Sequence, residues 1–414
     1  MIFLNSFKEC VILHKMKQMK TLDQIDFNGK RAVIRVDFNV PLNDAQQVTD
    51  ETRLKASLPT IQYILDQGGS CVLLSHLGRP KGPQAELSLQ HVIGNLENLL
   101  GLSVQFSSTT VGPEAEAAAQ QLQPGQLLLM ENLRFHAEET AGDLDFARQL
   151  AALGDVYVND AFGTAHRAHA STTTMAQFFE GQACAGRLLA AEIEAIDKVL
   201  KTGEKPVLAI LGGAKVSSKI TIIEKMLDVI DDLIIGGGMV YTFAKAQGGT
   251  VGNSICEDDY QETALRILEQ AQAKNVNVHL PVDVIAAQDF DNNAEQKVFP
   301  ANQIPDGWEG LDAGPETVEK FKAVVSGSKT ILWNGPLGVF EFSNFATGTV
   351  ELGTSIGEAT AAGAFSLVGG GDSVAAAKQF GLAEQMSYVS TGGGAMLESL
   401  EGREWSGIKA LNSW

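Results

Sequence analysis

Ten short apolar runs punctuate the chain, each followed by a turn and then by a longer stretch with helical spacing. In order they are Ala32–Val36, Cys71–Leu74, Leu127–Met130, Val156–Val158, Val207–Leu211, Leu233–Ile235, Val276–Leu280, Thr330–Trp333, Phe365–Val368 and Tyr388–Ser390. Such runs, apolar on both faces, suit strands covered on both sides, which is the environment of a parallel sheet. Stretches such as Leu54–Gln67 and Asp259–Ala273 lie between them as helices, so the repeated unit is βα. The predicted class is α/β, with open, doubly wound, mostly parallel sheets. The length of 414 residues gives a prior of two or three domains at roughly 150 residues each.

One segment reads as a connector. Gly186 precedes RLLAAEIEAIDKVLK, in which Leu189, Ile193, Ile196 and Leu200 fall at helical spacing, and Gly203 stands where a C-terminal cap is expected. The domain limits that follow are a first sheet over 21–186, a connecting helix over 187–202 and a second sheet over 203–400. Residues 1–20 read as a leader, or as the product of an upstream start codon with Met16 or Met19 as the natural start.

The balance of charge narrows the partners. Lys+Arg 31 against Asp+Glu 50 gives a net charge of −19, which repels the polyanions nucleic acid and anionic lipid. An anionic small substrate must therefore be caught by a local cluster of positive charge. No run of roughly 18 apolar residues offers a membrane span. Cys10, Cys71, Cys184 and Cys256 are widely spaced with no C-x-x-C, a pattern of reduced thiols and a cytoplasmic setting rather than of a disulfide framework or zinc knuckle. His166 and His169, three apart, have no third ligand nearby, and Ser217 and Ser218 have no partnered histidine.

Strand ends are where ligands bind in open α/β sheets, and here they are of two kinds. In the first half they carry charge and polar groups: RVDFN (35–39), SHLGR (75–79), ENLRF (131–135) and VNDAFGTAHR (158–167). Arg53, Arg79, Arg134 and Arg167, with His76 and Asn39 as neutral donors, make a candidate pocket for a small polyanion, because guanidinium groups grip carboxylate and phosphate in bidentate fashion. The bland alternative is scattered surface ion pairs. In the second half the ends carry glycine: LGGAK (211–215), IGGGM (235–239), WNGPLG (333–338), VGGGD (368–372) and TGGGA (391–395). Glycines opening helices let N–H groups approach phosphate; the bland alternative is tight βα turns. There is no P-loop and no G-x-G-x-x-G. Asp372 suits Mg²⁺ held against nucleotide phosphates. Lys215 and Lys219, four apart, share a face if the segment is helical. One sheet for a polyanion and one for a nucleotide is the arrangement phosphoryl transfer needs.

VDFNVP, SHLGRP, ENLRF, DAFGTAHRAHAS, LGGAKVSSK, GGGM, WNGPLGVFE, GGGDS and STGGGA, nine motifs in order from about Thr21 to Leu411, closely resemble those of the phosphoglycerate kinase family. The resemblance implies a cytosolic, monomeric glycolytic kinase that moves phosphate reversibly from 1,3-bisphosphoglycerate to ADP, giving ATP and 3-phosphoglycerate. It implies an acid-substrate site of Asp37, Phe38, Asn39, Arg53, His76, Leu77, Gly78, Arg79, Arg134 and Arg167. It implies a nucleotide site of Gly212, Gly213, Lys219, Gly236, Gly237, Gly238, Asn334, Pro336, Glu341, Gly370, Gly371, Asp372 and Ser373, with Glu341 at the ribose, Ser373 at a phosphate and Asp372 on Mg²⁺. Arg53, Lys215, Lys219, Gly370 and Gly371 are implied to act on the transferring group. Hinge bending about the connecting helix and a tail, 401–414, returning to the first domain are implied as well. The chain departs from the family pattern at Ser373, where Thr is common, at Trp405-Ser406, where Leu-Pro is common, and in its leader. Another acyl-phosphate kinase shares the two-lobe logic; a silent binding module of this fold is expected to lack Arg53, Lys219 or Asp372, and all three are present.

Overall fold

The computed structural model describes residues 19–403 and 405–412. The expected leader, with Cys10, lies outside the described residues except for Met19 and Lys20. The chain divides into two compact units, one running to Ile193 and taking in the described residues from Trp405 onward, the other Glu194–Arg403. The division falls inside the continuous helix Arg187–Leu200.

The first unit holds a six-stranded, wholly parallel sheet in the order β3-β4-β2-β1-β5-β6. Its strands are β1 (Arg31–Arg35), β2 (Ser70–Leu74), β3 (Val104–Ser107), β4 (Leu127–Met130), β5 (Val156–Asn159) and β6 (Ala183–Ala185). The central strands are buried along nearly their whole length, as their uninterrupted apolar sequence demands. Helix Thr52–Asp66 lays Leu54, Ile61 and Ile64 onto β1 and β2, where they join Ile34 and Leu73 in one core. Each fully buried Leu or Ile of this kind contributes about 1.5–3 kcal/mol.

The second unit repeats the plan. Its parallel sheet runs β10-β8-β7-β15-β16-β17, with β7 (Val207–Leu211), β8 (Asp232–Ile235), β10 (Asn277–His279), β15 (Thr330–Asn334), β16 (Phe365–Val368) and β17 (Tyr388–Val389). Trp333, fully buried on β15, anchors the core with Phe321, Leu352 and Ile356. The remaining strands are β9 (Thr250–Val251) with β13 (Gln303–Ile304), and an antiparallel trio of β11 (Asp283–Ala287), β12 (Gln296–Pro300) and β14 (Glu309–Ala313).

The ten apolar runs are all strands, displaced by a residue or two at their ends. The sheets also contain β3 and β6, which the pattern does not announce: β3 reads V-Q-F-S on an edge, and β6 is three residues long. Gly203 is not a left-handed cap. The helix ends at Leu200, and Gly203 is needed because a Cβ there would come 2.7 Å from the carbonyl oxygen of Lys198.

Candidate active site

The carboxyl edge of the first sheet is built by loops that leave β1, β2, β4 and β5. Beyond β1, Asp37 ion-pairs with Arg53, Nη1 to Oδ2 at 3.1 Å. Arg53, in the first turn of its helix, also donates to the Asn39 carbonyl at 3.0 Å. Asn39 Oδ1 accepts the Gly78 N–H at 2.8 Å, and Arg134 Nη1 donates to the Gly78 carbonyl at 2.6 Å. Gly78 has φ 65° and its Cβ would meet the Leu87 side chain at 2.8 Å, so only glycine brings the β2 loop between Asn39 and Arg134. Phe38 and Leu77 are buried core side chains; a ligand meets them only through their backbone. Asn132, fully buried, bonds both backbone groups of Leu77.

The basic residues converge. Arg79, Arg134 and Arg167 line one open cavity of about 420 Å³ together with Lys81, His136 and Thr140. Burial first, and then the charges of Arg35, Arg134, Arg53 and Arg167, hold His76 well below the ordinary imidazole range, so it is neutral at pH 7. Arg134 is itself pushed down to about 10 by burial, Arg167 and Arg35. His169 is pushed down to about 4 by burial and by Arg35, Arg134 and Arg167. On a chain of net charge −19, this is a concentrated positive field, fitted to an anion of several charges.

Arg35 is the member that reading the sequence missed. It is fully buried, its Nη2 lies 3.2 Å from His76 Nδ1, and its Nε donates to Ser171 Oγ at 2.8 Å. The signal was an arginine inside the apolar run RAVIRV, where a solvated role is impossible. His166 and His169 form no metal site; among the described residues no group of three or more His, Cys, Asp or Glu side chains is arranged to hold a metal.

In the second unit the glycine loops serve first to pack backbone on backbone. A Cβ on Gly212 would stand 2.1 Å from the Pro336 carbonyl oxygen, and one on Gly237 2.6 Å from the Gly213 nitrogen. The loops are stitched by Gly212 N–H to Asn334 O at 3.0 Å, Gly236 N–H to Leu211 O at 2.9 Å and Gly237 N–H to Leu337 O at 3.1 Å. Gly238 would press its Cβ onto Ile255. By contrast, Gly371 has open space above it and begins the helix Gly371–Gln379, with Gly370 as its N-cap. Asp372 follows, exposed on the first turn.

Lys215 and Lys219 do not share a helix face. Lys215 is extended and exposed, a single 3₁₀ turn covers Val216–Ser218, and the next helix starts only at Ile220. Three residues between the strand-end glycines and the helix are spent on that turn. Lys219 Nζ is held by Asn334 Oδ1. Burial lowers its pKa while Asp372 opposes that shift, which puts Lys219 and Asp372 in one electrostatic neighbourhood. Asn334 is fully buried and its Nδ2 donates to Gly369 O at 2.7 Å, so it braces Lys219. Ser373 is buried with its Oγ accepting the Gly335 N–H, which turns the hydroxyl inward. Pro336 is buried in the β15 loop and Glu341 is exposed just beyond it. The exposed Asp372 carboxylate suits Mg²⁺, which commonly takes one or two protein carboxylates and fills the rest of its shell with phosphate oxygens and water, while the open N–H groups of the helix start suit the phosphate.

The family model described as Phosphoglycerate kinase matches residues 22–403. A protein named Phosphoglycerate kinase from Porphyromonas gingivalis is 49% identical over 415 residues, covering 94% of this chain and 99% of that protein. One named Phosphoglycerate kinase, cytosolic, from Triticum aestivum is 48% identical over 396 residues, covering 96% and 98%. The solved structure of phosphoglycerate kinase from Coxiella burnetii superposes with a TM-score of 0.87 at 40% identity, covering 95% of this chain and 98% of that one.

Proposed function

The chain belongs to the phosphoglycerate kinase family, the glycolytic enzymes that pass a phosphoryl group reversibly between 1,3-bisphosphoglycerate and ADP, and on that premise we propose how its own residues divide the work. The first unit takes the acid substrate. Arg79, Arg134 and Arg167 grip its anionic end, neutral His76 and Asn39 donate hydrogen bonds, and Arg53, aimed by Asp37, meets the transferring group. The second unit takes the nucleotide, with the glycine loops at 212–213 and 236–238 and the Pro336 turn against the base and Glu341 at the ribose. Lys215 and Lys219 lie along the phosphates, Lys219 being set in place by Asn334. Ser373 contacts a phosphate at the start of its helix, its buried Oγ accepting the Gly335 N–H. The observation that carries this reading is the convergence of Arg79, Arg134 and Arg167 on one open cavity, with buried Arg35 3.2 Å from His76 Nδ1, in an otherwise acidic protein.

In this reading the β-phosphate oxygen of ADP attacks the acyl phosphate in line. That oxygen is already ionised, so no general base is needed. Arg53, Lys215, Lys219 and the N–H groups at Gly370 and Gly371 stabilise the equatorial oxygens where charge is spread in the transition state. Asp372 would hold Mg²⁺, which when bound neutralises charge on the nucleotide phosphates. A cytosolic monomer whose two units close about the helix Arg187–Leu200 completes the proposal; the cysteine usage and the cytosolic relatives support the compartment.

The test is a coupled assay with purified protein, ATP, Mg²⁺ and 3-phosphoglycerate, following NADH loss through glyceraldehyde-3-phosphate dehydrogenase. Turnover that requires all three additions is expected. A folded protein that binds both ligands without turnover would instead point to failed closure or to a binding module.

A further inference from the structure

Behind the arginines lies a carboxylate that the reaction does not use. Glu139 is fully buried in the short helix Ala137–Ala141, which begins two residues after the turn that carries Arg134. Its Oε1 accepts the Ser171 hydroxyl at 2.6 Å and its Oε2 accepts the Ser171 N–H at 3.0 Å. Its backbone carbonyl accepts the Ala170 N–H at 2.9 Å. Ser171 ends the loop that carries Arg167, and its Oγ in turn accepts from Arg35 Nε at 2.8 Å. Tyr157 closes the cluster by donating to the Ser171 carbonyl at 2.8 Å. The same two loops are held close at a second point: Gly142 has φ 68°, its Cβ would stand 2.7 Å from the Ala168 carbonyl oxygen, and its own carbonyl accepts from Thr174 Oγ1 at 3.0 Å.

A buried carboxylate is costly unless every oxygen is used and a counter-charge is near. Both conditions hold here, and the partners are not placed at random. One carboxyl group ties together the loops after β4 and β5, which present Arg134 and Arg167, and the last residue of β1, Arg35. We propose that Glu139 is a positioning residue for the acid-substrate site: its buried carboxylate, bridged through Ser171 to Arg35, fixes the loop of Arg167 against the loop of Arg134 and so sets the spacing of the groups that grip the substrate. This inference rests on the functional reading above. Glutamine replaces it only in part: with its oxygen on the Ser171 N–H its amide nitrogen can donate to Ser171 Oγ, but the Ser171 O–H then loses its acceptor and the negative charge near Arg35 is gone.

The experiment compares wild type, Glu139→Gln and Ser171→Ala in the coupled assay, with KM measured separately for 3-phosphoglycerate and for Mg·ATP. Ser171→Ala keeps both buried charges and deletes only the hydroxyl bridge. The expected result is a rise in KM for 3-phosphoglycerate of about tenfold or more for Glu139→Gln and about threefold or more for Ser171→Ala, where tenfold corresponds to about 1.4 kcal/mol. KM for Mg·ATP should stay within about twofold by the same scale. A merely structural role would lower the active fraction and thus apparent kcat, leaving the ratio of the two KM values unmoved. An unchanged ratio in whichever variant folds overturns the proposal, as does loss of folding in both. Absence of turnover in the wild type would instead overturn the functional reading, and this inference with it.

Discussion

Arg53 is the residue on which the proposed chemistry most depends. Its guanidinium is held from two sides, by the Asp37 carboxylate and the Asn39 carbonyl, so it is organised before any substrate arrives and loses little freedom when charge develops. Arg53→Ala should lower kcat by roughly 10³-fold or more, as expected for an arginine that meets transition-state charge. A kcat within a few-fold of wild type would remove that role. Lys219 is set up in the same way by Asn334, and Lys219→Ala should depress kcat more than it raises KM; the opposite split would make it a ground-state binder. His169 gives a separate prediction in pH. Its folded pKa of about 4 lies below its ordinary 6.5, so between those values the unfolded chain takes a proton that the folded chain refuses. The shift costs nothing above pH 6.5, lowers stability progressively as pH falls toward 4, and is level below that, with an upper limit of about 3 kcal/mol. In urea titrations the wild type should therefore lose stability relative to His169→Gln on acidification from pH 7 to pH 4.5. Parallel curves would show that the imidazole is not held neutral.

The junction where the residue after β5 packs against the start of the helix Arg187–Leu200, entered from β6, is tightly fitted. Asp160, just past β5 and fully buried, accepts the Leu189 N–H at 3.2 Å, and burial pushes its pKa up to about 6. Gly186 sits directly against it: a Cβ there would lie 2.2 Å from Asp160 Oδ1 and 2.3 Å from its Cγ. The carboxyl cannot retreat without releasing the helix N-terminus. Gly186→Ala should thus cost about 1–3 kcal/mol, the range for overpacking a closed site, read as a lower denaturant midpoint at unchanged m-value. At this scale the sequence was informative where one residue type has one reason to be present. Apolar runs marked strands because both faces of a parallel sheet are dry. It was silent at β3, whose edge position lets Gln105 alternate with Phe106, and at β12, whose Gln296 and Lys297 face solvent. At the site, Arg134 and Arg167 were legible as charges at strand ends. The Glu139–Ser171–Arg35 cluster was not, because its members lie 32 to 136 residues apart and only the fold makes them neighbours. The strand-end glycines carried two meanings, and the structure separates them: Gly212 and Gly237 admit neighbouring backbone, while Gly371 is open.

At the scale of the whole molecule the conflict is between a net charge of −19 and two polyanionic substrates. The two charges act over different ranges. The acidic surface acts at long range and is screened by salt, whereas Arg134 and Arg167 act on a ligand in contact with them, partly shielded from solvent. From about 0.02 M to about 0.3 M salt the Debye length falls from roughly 20 Å to roughly 6 Å. Over that interval the distant repulsion is nearly abolished, yet the contact attraction is weakened too, because the cavity of Arg79, Arg134 and Arg167 is open. The contact term is the larger: unit charges about 4 Å apart at an effective dielectric constant of 20 interact by about 4 kcal/mol, against about 1 kcal/mol in bulk water. KM for 3-phosphoglycerate should therefore rise with ionic strength, and rise less in Arg134→Ala, which has less attraction left to screen. If KM instead fell as salt was added, the repulsion of the acidic surface would be the dominant field, and the arginine cluster would be a device for orientation rather than capture.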